Sequence, residues 1–167
     1  MRRLLLLRHA KAERLQPGGR DHDRVLAARG RADAHKLGVY LARHGHIPDR
    51  ALVSTSARTR ETWAQLVTSF GKAPPVSFED RIYEATPQAI LQVIQETGRE
   101  TGTLLVVGHN PGMQEFAISF DDGTGDEAAR DEVTGKYPTG GLAVFAVDGP
   151  WSGATAGTLT AFAAPRP

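Results

Sequence analysis

Four consecutive leucines, Leu4–Leu7, run straight into Arg8 and His9. A short, unbroken apolar run reads as a strand buried on both faces, as in α/β sheets. A strand that ends abruptly in a cation and an imidazole carries them to the edge of the sheet. In open α/β sheets, ligands bind at that edge, outside the carboxyl ends of the strands. The pattern recurs twice. Ala51-Leu52-Val53 leads into Ser54-Thr55-Ser56 and Arg58, and Leu104-Leu105-Val106-Val107 leads into Gly108-His109-Asn110. Three predicted strands therefore deliver cationic or imidazole groups to one sheet edge.

Length and charge narrow the setting. A chain of 167 residues predicts one domain, residues 1–167, with a proper core. A net charge of +1 gives no bulk argument for nucleic acid or an anionic membrane as partner. There are no cysteines, so disulfides, zinc–thiolate sites and thiol nucleophiles are excluded. The opening Met-Arg-Arg-Leu mimics a signal peptide, but Arg8 and His9 interrupt its apolar part, and no run approaches membrane-spanning length. The expectation is a cytoplasmic, monomeric enzyme or binding protein.

Glu13 to Arg24, with Pro17, Gly18 and Gly19, is predicted as a solvated loop beside any pocket. Val25 to His44 reads as a helix whose start slips to about Arg31 because of Gly30. His44 and His46 lack an acidic partner and face different sides, so they read as surface histidines, not metal ligands. Ser54, Thr55 and Ser56 are capping types for a helix over Ala57–Phe70. That puts Arg58 in a first turn, where a cation is unfavourable unless it meets an anion. Val76-Ser77-Phe78 reads as a short strand. Thr86 and Pro87 open a helix to about Glu96, with Glu84 in the preceding loop. Asn110 is the predicted cap, and Pro111 the first residue, of a helix reaching Phe120. That helix is expected to aim free N–H groups at whatever His109 touches. The acidic stretch 121–138 shows no periodicity and is predicted as an exposed loop. Gly141–Val147 and Thr158–Ala164 close the chain as strands, with Trp151 shielding an end of the core.

Arg8, His9, Arg58 and His109 form a cluster with no obligatory carboxylate, which suits a dianion such as phosphate. Guanidiniums grip phosphate oxygens in pairs of hydrogen bonds. No P-loop is present and no acidic cluster would hold magnesium, so phosphoryl chemistry here rests on arginines and needs no metal or cofactor. Candidate nucleophiles are His9, His109 and the hydroxyls of Ser54–Ser56. A neutral imidazole is competent at neutral pH, and physics alone leaves the choice between the two histidines open.

Leu-Leu-Leu-Leu-Arg8-His9-Ala-Lys resembles the first signature of the histidine phosphatase (phosphoglycerate mutase-like) superfamily. Ser54-x-x-x-Arg58-x-x-x-Thr62 and Gly108-His109-Asn110-Pro111-Gly112 resemble its second and third motifs, in order. Asp23-Arg24-x-Leu26-x-x-x-Gly30 and Tyr137-Pro138-Thr139 look most like the phosphohistidine phosphatase (SixA-type) branch. Ala10 stands where the usual residue is Gly. The resemblance implies a three-layer α/β/α sandwich around a mostly parallel sheet. It implies a metal-independent phosphatase in which His9 is transiently phosphorylated while Arg8, Arg58 and His109 hold the phosphoryl group. Asn110 and Lys11 are further candidates for substrate contact. Larger relatives place a general acid after the third strand, for which Glu84 is the nearest candidate. The implied substrate is phosphohistidine on a protein, with a small phosphate ester as the alternative. A non-catalytic module binding phosphorylated partners is the alternative of another class.

Overall fold

The computed structural model describes residues 1–165. Its strands are β1 (Arg2–Arg8), β2 (Arg50–Ser54), β3 (Val76–Glu79), β4 (Thr103–Gly108), β5 (Leu142–Val147) and β6 (Thr158–Ala163). They form one sheet in the order β3-β2-β4-β1-β5-β6. The pairs β3–β2, β2–β4 and β4–β1 are parallel, and β5 is antiparallel to both neighbours. Five strands thus share one direction and only β5 opposes them.

The leucine run explains the layering. Successive strand residues point to opposite faces. Leu5 and Leu7 join Leu41, Trp63 and Leu66 on one face, beneath α1 (Ala28–Arg43) and α2 (Ala57–Val67). Leu4 and Leu6 join Ile90, Ile94, Met113, Phe116 and Val133 on the other. That face is covered by α3 (Pro87–Gln95), α4 (Gly112–Phe120) and α5 (Glu127–Gly135). The architecture is the three-layer α/β/α sandwich of the phosphoglycerate mutase-like fold. No helix among the described residues is long and apolar enough to cross a membrane.

Three local expectations are corrected. First, α1 begins at Ala28, with Gly30 inside its first turn. Gly30 packs so closely on the chain after β1 that an added Cβ would lie 2.0 Å from the Lys11 carbonyl oxygen. Gly38, two turns on, meets Leu66 of α2 in the same way, at 2.7 Å. Glycine here trades helix propensity for contact, and its place at the His9–Lys11 loop is what matters. Gly30→Ala is expected to cost about 2 kcal/mol or more and to lower the melting temperature by about 4–8 °C. In Gly135→Ala an added Cβ meets nothing within 4 Å. Thermal melts in which the two variants lose equally would contradict the close-packing argument.

Second, the acidic stretch contains a helix, α5. Asp126 caps it by accepting from the Ala129 N–H at 3.2 Å, and Ala129 and Val133, one turn apart, are buried in the core. Arg130 pairs with Asp121 at 2.7 Å. Two small apolar residues among charges are too few to register as periodicity. Third, α4 begins at Gly112, with Pro111 in the capping position after a cis Asn110–Pro111 bond. The N–H groups of Met113 and Gln114 are taken by the His109 carbonyl and Asn110 Oδ1, at 2.9 and 3.2 Å. They are spent within the protein instead of being offered to a ligand.

Candidate active site

Strand register decides which side chains meet. Arg8 of β1 pairs with Gly108 of β4, and the His9 N–H donates to the Gly108 carbonyl at 3.0 Å. The next residue on each strand is a histidine, so His9 and His109 emerge side by side with ring centroids 5.3 Å apart. β2 lies on the far side of β4, with Val53 opposite Val107, and its last residue, Ser54, hydrogen-bonds His109 Nε2 at 2.8 Å. Ser56 caps α2 through the Thr59 N–H, and Arg58 follows in the first turn.

His9 is 6% exposed. Its Nδ1 lies 2.8 Å from the Ala10 carbonyl oxygen, which can only accept. The proton is therefore on Nδ1 and the lone pair on Nε2. Nε2 receives a long hydrogen bond from Arg58 Nε at 3.3 Å. Burial, opposed by the Ala10 bond and reinforced by Arg58 and Arg8, lowers the His9 pKa to about 4. At neutral pH, Nε2 is a free base. The loop that holds it is pinned by Thr62, whose hydroxyl accepts from the Ala10 N–H at 3.1 Å and donates to the Arg58 carbonyl at 2.7 Å. The third residue of the second motif thus fixes the first motif to α2.

His109 is 7% exposed, and its pKa is lowered to about 3 by burial, then by His9 and Arg58. It is therefore neutral as well, and its buried Nδ1 has no partner. One ring nitrogen, Nε2, is thus committed to Ser54 at 2.8 Å. Arg8 donates Nη1–H to the Tyr137 carbonyl at 3.0 Å while its buried Nε has no partner. Burial and the neighbouring Arg58 pull the Arg8 pKa down, though a guanidinium stays charged in a protein. Buried groups without partners are costly, and both side chains line the cleft in which an oxyanion would sit.

Arg58 is 5% exposed. The anion that its helix position calls for is Asp21, which lies in the stretch whose composition predicts a solvated loop. Arg58 Nη1 donates to the Asp21 carbonyl at 2.9 Å and Nη2 to the Asp21 carboxylate at 3.1 Å. The cluster therefore contains a carboxylate, contrary to expectation. Tyr83 donates to the same carboxylate at 2.6 Å, and Arg24 at 3.0 Å. These bonds, Tyr83 first, hold Asp21 well below the usual carboxylate range. Burial and Asp21 push the Tyr83 hydroxyl up to about 12.

Six of the sequence candidates, Arg8, His9, Lys11, Arg58, His109 and Asn110, line one cleft of about 280 Å³, together with Arg24 and Thr139. Lys11 stands exposed at its rim. Asn110 donates one N–H to the Tyr137 carbonyl at 3.0 Å and accepts at Oδ1 from the Gln114 N–H at 3.2 Å, leaving a second N–H. Glu84 is absent from this cleft. It is exposed, has a positive φ of 54°, and lines an adjoining cleft of about 420 Å³ that shares His109 and Asn110 and adds Thr86 and Glu115. Tyr137 lies under the site. Its buried hydroxyl donates to the Leu6 carbonyl at 2.5 Å, which fixes in place the Tyr137 carbonyl that holds Arg8 and Asn110. Among the described residues no group of three or more His, Asp or Glu could hold a metal ion.

The family and its relatives agree with this geometry. Residues 4–89 match the sequence model of the Histidine phosphatase superfamily (branch 1). An uncharacterized protein of Mycobacterium tuberculosis is 36% identical over 163 residues, covering 96% of this chain and all of that protein. The crystal structure of SixA from Agrobacterium tumefaciens superposes with a TM-score of 0.84 at 31% identity, over 98% of both chains. The protein histidine phosphatase SixA complexed with tungstate shares the fold, with a TM-score of 0.80 at 16% identity over 97% of this chain and 96% of that one. A buried imidazole base framed by two arginines and a second histidine, at the edge of this sheet, belongs to a phosphatase: the chain is a member of the histidine phosphatase superfamily, on its SixA-like branch.

Proposed function

We propose that the chain, acting as one domain over residues 1–167, hydrolyses phosphohistidine on a protein through a phospho-His9 intermediate, without a metal. The observation that carries the catalytic part is the His9 tautomer: Nδ1–H is held by Ala10, and the unprotonated Nε2 sits in the cleft beside Arg58. Nε2 attacks phosphorus as the bond from phosphorus to the leaving nitrogen breaks; the leaving ring, protonated on its other nitrogen, takes the electron pair and departs as neutral imidazole. Arg58 has two N–H groups left after its bonds to Asp21 and His9. These, with the Arg8 guanidinium and the His109 ring, bind the oxygens on which charge develops. Lys11 and the spare Asn110 N–H serve the same oxygens at the rim. Water then attacks phospho-His9, releasing phosphate and restoring the imidazole.

The substrate assignment rests on the acid. An alkoxide leaving group needs a proton as it departs, and an efficient acid has a pKa raised toward neutrality. The carboxylate built into the site, Asp21, is held ionised by Tyr83, Arg24 and Arg58, and Glu84 is exposed in the adjoining cleft. A phosphohistidine ring protonated on its other nitrogen leaves as neutral imidazole, a far better leaving group than an alkoxide, and tolerates such a site. The SixA structure at 31% identity points the same way.

The test compares phosphate release from a histidine-phosphorylated protein with release from phosphoserine, for the unaltered chain and Glu84→Gln, with EDTA present. Release from phosphohistidine is expected to change less than about 3-fold in the variant. With Asp21 held ionised, Glu84 is the carboxylate left to protonate an alkoxide, so phosphoserine hydrolysis, already slow in the unaltered chain, is expected to fall further, on the order of 10²-fold. Equal losses would remove Glu84 from the acid role. Rapid phosphoserine turnover with an inert phosphohistidine protein would transfer the reading to a small-ester phosphatase. Phosphate binding with no turnover of either would favour the binding module.

The pH profile offers a second check. His9 must be neutral to attack, and its pKa is lowered to about 4. The free-enzyme profile of kcat/KM, corrected for substrate ionisation, is expected to hold down to about pH 4 and then fall as Nε2 is protonated. An acid limb centred on the ordinary histidine value of about 6.5 would contradict the neutral, buried imidazole.

A further inference from the structure

We propose that Asp21 is a positioning residue: it holds the Arg58 guanidinium in the plane and place from which it meets the phosphoryl group and His9. The inference rests on the reading that His9 and Arg58 carry the chemistry. One guanidinium gives Nη1–H to the Asp21 backbone carbonyl at 2.9 Å and Nη2–H to the Asp21 carboxylate at 3.1 Å. Two acceptors on one residue fix a planar fork against rotation as well as translation. The third nitrogen, Nε, is thereby aimed at His9 Nε2 at 3.3 Å. Asp21 therefore reaches the reacting atom through Arg58 and does not line the cleft itself.

Asp21 is in turn anchored from three sides. Tyr83 donates to Oδ2 at 2.6 Å and Arg24 to Oδ1 at 3.0 Å. Its neighbour His22 bonds Thr55 at 2.9 Å, and Thr55 donates to Asp80 at 2.8 Å. Arg24 also donates through Nε to the Glu13 carbonyl at 2.9 Å. The short 3₁₀ turn Asp21–Asp23 is thus tied to the strand end before α2, to the turn after β3 and to the far end of its own loop. The stretch that composition marks as a solvated loop is a built support.

A carboxylate beside an anion site opposes binding of the anion, so Asp21 acts against ground-state affinity. Its gain lies in orientation at the transition state, which appears in kcat. This separates positioning from a general folding role. Asp21→Asn keeps an acceptor oxygen for Arg58 and loses the charge; Asp21→Ala loses both. The experiment measures kcat, KM, the tungstate inhibition constant and the melting temperature for both variants, with His9→Ala alongside. Expected values of kcat are about 5–20-fold lower for Asp21→Asn and about 30–100-fold lower for Asp21→Ala, with tungstate bound as tightly as before or more tightly in both. Tyr83→Phe, which removes one anchor, is expected to lose about 2–5-fold in kcat with tungstate affinity kept.

If Asp21→Ala does not fold, Asp21→Asn decides alone. A kcat within 2-fold of the unaltered enzyme in Asp21→Asn, where His9→Ala abolishes turnover, overturns the positioning role and leaves the phosphatase reading intact. Weakened tungstate binding with an unchanged kcat also overturns it, because Asp21 would then serve anion affinity. Retained turnover in His9→Ala would instead bring down the reading on which the proposal stands.

Discussion

His9→Ala is expected to lower kcat on the order of 10⁴-fold or more, to the limit of detection, while leaving the fold and most tungstate affinity in place. The reason is local. Nε2 is the unprotonated nitrogen in the cleft whose tautomer is dictated by a protein acceptor, the Ala10 carbonyl. The other histidine, His109, has its Nε2 engaged with Ser54. Removing a covalent nucleophile costs far more than removing a single binding group. The side chain sits at the chain end of β1, outside both halves of the core, so truncation leaves the packing of the sheet intact. Activity assays of His9→Ala and His109→Ala, each checked by thermal melt, separate the two roles: His109→Ala is expected to retain measurable turnover, reduced by about 10²–10³-fold as a lost oxyanion donor. A His9→Ala enzyme more active than His109→Ala would reverse the assignment.

Arg58→Ala is expected to lower kcat by on the order of 10³-fold, about 4 kcal/mol of transition-state stabilisation. Arg58→Lys is expected to recover less than a tenth of that loss. Arg58 spends one donor on His9 and two on Asp21 and still has two to give. A lysine ammonium is a single point and cannot span these partners at once. Removing Arg58 also strips the Asp21 carboxylate of a partner, although Tyr83 and Arg24 remain on it, so the protein is expected to fold. The test is kcat and KM for the two variants. An Arg58→Lys enzyme within 10-fold of the original would show that charge alone, without the fork geometry, is what the site requires.

The fold and the four central side chains were legible because their signals are local. Leu4–Leu7 and Leu104–Val107 admit few readings other than buried strands, and each ends in a histidine one residue past the register-paired positions Arg8 and Gly108. Thr86 caps α3 through the Ala89 N–H, as its sequence demands. The features that local sequence does not signal depend on tertiary contacts. Asp21 lies among Pro, Gly and charged residues, and its carboxylate acquires meaning only when Arg58, 37 residues later, arrives beside it. One clue was present: a cation in the first turn of α2 required an anion, and Asp21 is that anion. Helix α5 was hidden because only Ala129 and Val133 face the core, and a nine-residue helix with two apolar contacts has almost no period to detect. Propensity counts Gly30 against a helix, whereas here the helix can approach Lys11 only where there is no Cβ.

The central claim is that phosphate passes through His9, and trapping the intermediate tests it most directly. The enzyme would be mixed with a histidine-phosphorylated protein, quenched in alkali within milliseconds to preserve phosphoramidate, digested and mapped by mass spectrometry. Up to one phosphate per chain is expected on His9, bonded to Nε2, present in Glu84→Gln and absent in His9→Ala. Phosphate on His109, or turnover at full rate with no phosphoenzyme at any quench time, would contradict the mechanism at its centre.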